Sequence, residues 1–164
     1  PMESILETGG IFRKEDKILG DVKKGYTYFA EGDILFAKIT PCMENNKGAI
    51  AEGLTNEIGM GSTELFVLKP KKKSDQSFVY FLSMSKAFRQ SAERWMQGSA
   101  GQKRVPKDFF LKRPIVVPPP SNRDQIGKLL QSFDARATEI IKYIYSMKMV
   151  KIKLLNSFLS ESRS

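Results

Sequence analysis

The sequence predicts a mixed α/β (α+β) globular head, residues 1–120, followed by one long C-terminal coiled-coil helix, residues 121–164. Three observations predict it. Short apolar runs bounded by turn residues, with one stretch of helical spacing, fill the first part of the chain. A triple proline, Pro118-Pro119-Pro120, then forms a stiff boundary. Beyond it two heptad series run to the end. One is Ile126, Phe133, Ile140, Met147 and Leu154; the other is Leu130, Ala137, Ile144, Lys151 and Phe158. Nine of these ten positions are apolar, a coiled-coil seam sustained over five heptads. A helix from Asn122 to Phe158 is roughly 55 Å long at 1.5 Å per residue. It cannot bury its seam on itself and needs a partner helix. A core helix of a globule shows the same local pattern, but such helices run about 8–20 residues. Lys151 fits a stalk, because a polar residue at one seam position can fix register at some cost in stability.

The head reads as follows. Residues 3–25 are polar, with glycines at 9, 10, 20 and 25, and predict short strands and loops. Tyr26 to Phe29 has strand composition. Glu31-Gly32-Asp33 is a turn, and Ile34 to Ile39 is a buried strand stopped by Thr40-Pro41. Cys42 to Gly48 is turn-forming and precedes the apolar Ala49-Ile50-Ala51. Gly59 to Glu64 resembles half of a glycine-rich phosphate loop. It lacks the third glycine and enters the strand Leu65 to Leu68 rather than a helix, so a dinucleotide fold is unsupported. Four lysines between Lys69 and Lys73 surround Pro70, and Ser74-Asp75 starts a helix. Phe78, Phe81, Leu82, Ala87 and Phe88 carry that helix to about Met96. Gln97 to Pro106 is a loop, and Phe109 to Val117 is a short strand. Ser121 or Asn122 caps the long helix.

Composition narrows the chemistry. Cys42 is the only cysteine and there are no histidines. That excludes an intrachain disulfide, cysteine-cluster metal sites and histidine acid–base or metal chemistry. No metal site and no catalytic residue is expected. There is no Asn/Asp-Pro-Pro-Tyr stretch, no GxxxxGK[ST] and no G-x-S-x-G. No apolar run reaches eighteen residues, and the first ten residues lack the basic start and apolar core of a signal peptide. A cytoplasmic location and no membrane contact are the expectation. The chain starts at Pro1, so either an initiator Met was removed or the sequence is a piece of something longer.

The net charge of +9 is uneven. Residues 1–70 hold 8 Lys/Arg against 11 Asp/Glu, residues 71–120 hold 11 against 3, and residues 121–164 hold 8 against 4. So basic a middle suggests a polyanionic partner, most simply nucleic acid, although a solvated basic surface has the same composition. Two loops, 40–48 and 97–105, hold the side chains that suit base and phosphate contacts, with a third at Gly59 to Thr63. The candidate DNA contacts are Lys38, Thr40, Asn45, Asn46, Lys47, Ser62, Gln102, Lys103 and Arg104. Asn can be bidentate to adenine, and Arg can grip guanine or phosphate in a fork. Asn-Asn-Lys-Gly is also what an ordinary exposed turn looks like. The lysines at 69–73 offer more charge but no base-reading groups, which predicts affinity without specificity.

Four stretches carry a resemblance to a known family. Gly32-Asp33-Ile34-Leu35-Phe36-Ala37-Lys38-Ile39-Thr40-Pro41-Cys42 with Glu44-Asn45 and Lys47 is similar to the target recognition domain of type I restriction–modification specificity subunits. Gly61-Ser62-Thr63-Glu64 before an apolar strand, Gly98-Ser99-Ala100-Gly101-Gln102-Lys103-Arg104-Val105-Pro106, and Pro118-Pro119 followed by Gln125-Ile126 match the same family in order and spacing. The resemblance implies that residues 1–120 are a recognition domain reading double-stranded DNA in the major groove. It implies that 121–164 is a spacer helix paired antiparallel with a second one. It further implies no enzyme activity in this subunit. Adenine methyltransferase subunits and restriction/translocase subunits act as its partners and bring S-adenosylmethionine, ATP and magnesium, and this chain holds no cofactor.

Two departures stand out. The usual subunit has two recognition domains and two spacers, and it has a further stretch before the equivalent of Pro1. This chain is therefore a half-size subunit that homodimerises or a fragment of a longer one. Asp124 stands where the family often has Glu, which keeps the charge. Gln102 to Val105 could alternatively hold the loop's shape or dock a methyltransferase subunit. The competing functional reading is a non-enzymatic nucleic-acid-binding or scaffold module that dimerises through its C-terminal helix. A self-contained modification enzyme is disfavoured by the missing motifs.

Overall fold

A computed structural model describes residues 1–99 and 101–161, apart from the side chains of Lys142, Ser160 and Glu161. Ala100 of the 97–106 stretch and residues 162–164 of the expected helix lie outside the described residues. The regular elements in chain order are α1 (Leu19–Val22), β1 (Thr27–Ala30), β2 (Ile34–Ala37), β3 (Gly48–Ile50), β4 (Ile58–Gly61), β5 (Leu65–Leu68), α2 (Gln76–Met84), α3 (Lys86–Trp95), α4 (Lys107–Lys112) and α5 (Pro120–Glu161). The chain is thus mixed helix and sheet with one long C-terminal helix, the class expected from the sequence. It divides into two compact units, Pro1–Gly127 and the part from Lys128 onward.

The first unit is built on β2. Its four residues are apolar and all are buried. A strand covered on both faces reads as a continuous apolar run, as this one does. It pairs antiparallel with β3 on one side and β5 on the other, in register Leu35 to Ala49 and Leu35 to Val67. Successive side chains point to opposite faces. Leu35 and Ala37 therefore join Ile5, Phe29, Ala49, Ala51 and Leu65 in one core, and Phe36 joins Met43, Phe88, Ala92, Val105 and Phe109 in the other. The second core is aromatic: Phe36 meets Phe110 at 5.3 Å and Phe88 meets Phe109 at 5.1 Å between ring centres, both edge-to-face. A separate two-stranded sheet pairs β1 with β4. There the ring of Phe29 lies over Gly59, where an added Cβ would collide with the ring.

Three expectations fail here. The single helix from Ser74 to about Met96 is two helices. Ser85 is extended (φ −66°, ψ 142°) and its hydroxyl accepts from the Phe88 amide at 3.3 Å, so it closes α2 and caps α3. The strand from Phe109 to Val117 is absent: α4 occupies its first part, and residues 113–119 carry no regular structure. The reason lies in the aromatic core. Phe109 and Phe110 both pack there, on Phe88, whereas neighbours in a strand would face opposite ways. Val116 and Val117 are exposed. Residues 3–25 hold one isolated bridge, Ile5 to Ile11, and short helical turns in place of strands.

The start of α5 belongs to the first unit. Arg123 Nε lies 3.1 Å from Asp75 Oδ1, with both side chains largely buried. Gly127 is buried, and a Cβ there would meet Ser77 Cβ at 2.9 Å. The seam residues, by contrast, are open: Ile126, Leu130, Phe133, Ala137, Ile140, Ile144, Met147, Leu154 and Phe158 are all exposed, as is Lys151. No helix among the described residues is long and apolar enough to cross a membrane.

Candidate nucleic-acid interface

The β2 strand ends at Ala37, yet the chain beyond it keeps pairing with new partners. The Lys38 amide donates to the Glu64 carbonyl at 3.0 Å, and the Lys38 carbonyl accepts from Val105 N at 2.8 Å. Thr40 N donates to the Lys103 carbonyl at 3.0 Å. Ile39 and Arg104 form an antiparallel bridge, and Arg104 pairs in turn with Gln97. Three segments far apart in sequence, 38–40, 62–64 and 102–104, thus meet at one end of the three-stranded sheet.

Side chains close the same junction. Arg104 forks onto Glu64: Nε lies 2.9 Å from Oε2, and Nη2 lies 2.8 Å from Oε1. Its Nη1 donates to the Gln102 carbonyl at 3.1 Å. Ser62 Oγ accepts from the Glu64 amide at 3.2 Å and shapes that turn. Lys38 Nζ sits 5.1 Å from the centre of the Phe66 ring. Gln102 and Lys103 are exposed. Six of the nine candidates, Lys38, Thr40, Ser62, Gln102, Lys103 and Arg104, are therefore neighbours. The third loop is shorter than expected, because Gly59 to Gly61 lie in β4 and only residues 62–64 form the turn.

The remaining three sit on the turn that follows Thr40, after a cis Thr40–Pro41 peptide. Thr40 Oγ1 donates to Glu44 at 2.8 Å. Asn45 is exposed, and its amide donates to Glu7 at 2.9 Å. Asn46 has a positive φ of 61°, a conformation asparagine tolerates better than most residues. Its Oδ1 is buried without a protein hydrogen bond. Lys47 turns inward, with Nζ 3.2 Å from the Met2 carbonyl. The lysine cluster is at the other end of the sheet. Leu65, next to Glu64, pairs with Ala37, while Leu68, next to Lys69, pairs with Ile34. Lys71, Lys72 and Lys73 are exposed there.

Sequence reading missed two residues of this site. Glu64, the partner of Arg104, stands in the sequence as the end of the Gly59 to Glu64 stretch and of one family-like stretch, and nothing local marks a pair forty positions apart. Arg89 on α3 is buried behind the 41–47 turn. An arginine beside Phe88 and Ala92, on the apolar side of a short helix, was the available signal.

The Arg104 fork holds the Glu64 carboxyl below its ordinary value of 4.5. A carboxylate with a depressed folded pKa stabilises the fold above its unfolded pKa, and that contribution is lost as pH falls through the folded value. Glu64→Gln is thus expected to lower Tm by a few degrees at neutral pH, with the gap to the unsubstituted chain closing as pH falls below 4.5. Thermal melts across pH 3 to 7 check this. A gap constant over that range would show that the carboxylate charge does not hold the junction. Among the described residues no group of three or more Cys, Asp or Glu is placed to hold a metal ion.

Comparison with known proteins identifies the family. The family described as type I restriction modification DNA specificity domain matches residues 5–146. The chain is 51% identical over 107 residues to the specificity subunit of the type I restriction enzyme EcoAI of Escherichia coli, an alignment covering 65% of this chain and 18% of that protein. It is 47% identical over 119 residues to the corresponding EcoEI subunit of Escherichia coli, covering 71% and 20% respectively. The match thus spans about a fifth of these relatives' length. The junction of 38–40, 62–64 and 102–104 joins three of the four stretches on which the family resemblance rested, and it lies within the matched region. The chain belongs to the type I restriction modification DNA specificity domain family.

Proposed function

We propose that the first unit reads part of a double-stranded DNA sequence and that the helix beyond it pairs with a second such helix. The chain then acts as a specificity module, whole or partial, of a type I restriction–modification assembly. The supporting observation is the gathering of Lys38, Thr40, Ser62, Gln102, Lys103 and Arg104 at one sheet end, beside the turn that carries Asn45, Asn46 and Lys47. Phosphate contacts fix register and base-edge contacts specify. Lys103 and Lys38 suit the first task; Gln102, Asn45 and the Arg104 N–H groups that Glu64 and the Gln102 carbonyl do not take suit the second. The Glu64–Arg104 fork presets the loop, so less ordering is needed on binding.

In this reading the chain itself is not an enzyme. Adenine methyltransferase and restriction/translocase subunits perform the chemistry and hold S-adenosylmethionine, ATP and magnesium. They act in the cytoplasm, where the DNA is. The purified chain given labelled S-adenosylmethionine and DNA is expected to transfer no methyl group. Methyl transfer by the chain free of other subunits would overturn that part.

Selection from a randomised duplex library tests DNA reading directly. Sequencing the bound fraction should return one enriched motif. Binding without enrichment, collapsing with salt, would favour a non-specific or scaffold module. Substitutions separate the two basic regions. Changing Lys71, Lys72 and Lys73 together to Ala should weaken all duplexes alike and flatten the salt dependence. Asn45→Ala or Arg104→Ala should instead reduce enrichment of the motif by about five- to a hundredfold, with little change on random DNA. Equal losses on both kinds of DNA for Arg104→Ala would place that loop outside the reading surface.

A further inference from the structure

We propose that Arg89 is a positioning residue for DNA recognition: from inside the head it sets the 41–47 turn that carries Asn45, and it touches no DNA itself. The proposal rests on the DNA-reading role above. Arg89 is buried on α3. Its Nε donates to the Ser83 carbonyl at 2.9 Å, Nη1 to the Met43 carbonyl at 3.2 Å and Nη2 to the Lys47 carbonyl at 3.1 Å. One guanidinium thereby ties the end of α2 to the middle and the far end of the turn. Its carbon lies 4.0 Å from the centre of the Phe36 ring, which holds the plane in place.

Among the described residues, no carboxylate lies within ion-pair distance of Arg89. Burial lowers its pKa to about 10, so it stays charged at neutral pH. A buried cation without an acid is costly, and a Met or Leu would fill similar space without that cost. What the guanidinium adds is the set of carbonyl bonds, and two of the three go to the turn. Gly48 makes the space. A Cβ there would lie 2.9 Å from Arg89 Nη2, 2.8 Å from Met84 Sδ and 3.0 Å from the Leu35 carbonyl. The turn also carries Asn46 at positive φ, a conformation that needs support from outside the local chain.

The test uses the full chain with Arg89→Lys, which keeps the charge but replaces a planar fork by a single ammonium that cannot span three carbonyls. Gly48→Ala is the second variant. It displaces the guanidinium without removing it, and it serves if Arg89→Lys does not fold. Each is read three ways: motif enrichment from a randomised duplex library, salt dependence on random duplex, and hydrogen exchange at residues 41–48. The expected result is faster exchange at Asn45, Asn46 and Lys47. Motif enrichment should fall about five- to a hundredfold, with the salt dependence unchanged. Unchanged exchange, or faster exchange with full enrichment, overturns the proposal. No enriched motif even for the unsubstituted chain is a different failure. It removes the DNA-reading role and with it the recognition part of the proposal, while faster exchange in the variant would still show that Arg89 holds the turn.

Discussion

Replacing Ile140 and Ile144 together by Asp is expected to convert a two-copy chain into single copies while leaving the head folded. Both residues lie on the open seam of α5, and the exposed apolar side chains continue along it from Ile126 to Phe158. Contiguous apolar surface of this extent marks an interaction site. In a paired helix each new carboxylate would be taken out of water into an apolar seam, at a cost of about 3 kcal/mol or more per ion. Even one such cost per helix raises the dissociation constant by more than about a hundredfold. Light scattering over a concentration series measures this, and circular dichroism reports whether the head survives. If the chain is part of a longer subunit, the same pairing is internal there, and the substitutions should loosen that subunit without changing its mass. A single-copy unsubstituted chain at high concentration, with the seam still open to solvent, would rule out pairing between copies.

Phe36→Ala is expected to cost about 3–5 kcal/mol of stability, among the largest effects of any single truncation in this chain. Phe36 is fully buried at the centre of β2. Its ring touches Phe88 and Phe110 edge-to-face and lies against the Arg89 guanidinium. Truncation leaves a cavity between sheet and helices and removes the surface on which Arg89 rests. Domains of this size are stable by only about 5–15 kcal/mol, so the loss is a large share of the total. Denaturant unfolding of the two chains measures it. A difference below about 1 kcal/mol would mean that the second core can collapse onto the gap and that Phe36 is not its centre.

The family relationship was readable because several modest stretches recur in a set order. Order and spacing survive in sequence even where contacts do not. The structure shows why three of those stretches belong together: 38–40, 62–64 and 102–104 are joined by backbone hydrogen bonds and an isolated bridge at one end of the sheet. No local pattern predicts that junction, since its pairings join residues as far apart as Lys38 and Val105 and depend on how the sheet and helices pack.

Local periodicity by itself determined the long helix, because a heptad repeat is a property of neighbours along the chain. Shortness and flanking turn residues likewise marked β2, whose unbroken apolar run between Glu31-Gly32-Asp33 and Thr40-Pro41 reads as a covered strand. The tertiary structure alone decided the rest. Phe109 to Val117 is rich in aromatic and β-branched residues and reads as a strand, yet the aromatic core recruits two adjacent phenylalanines at once, which a helix permits and a strand does not. Arg104 looked like a free base-reading side chain, and a carboxylate forty residues away holds it. Arg89 carries no local mark of its partners, and three carbonyls supplied by α2 and the 41–47 turn hold it inside. Propensity and period act over a few residues, whereas the partners that fix a buried charge or a ring come from wherever the fold brings them.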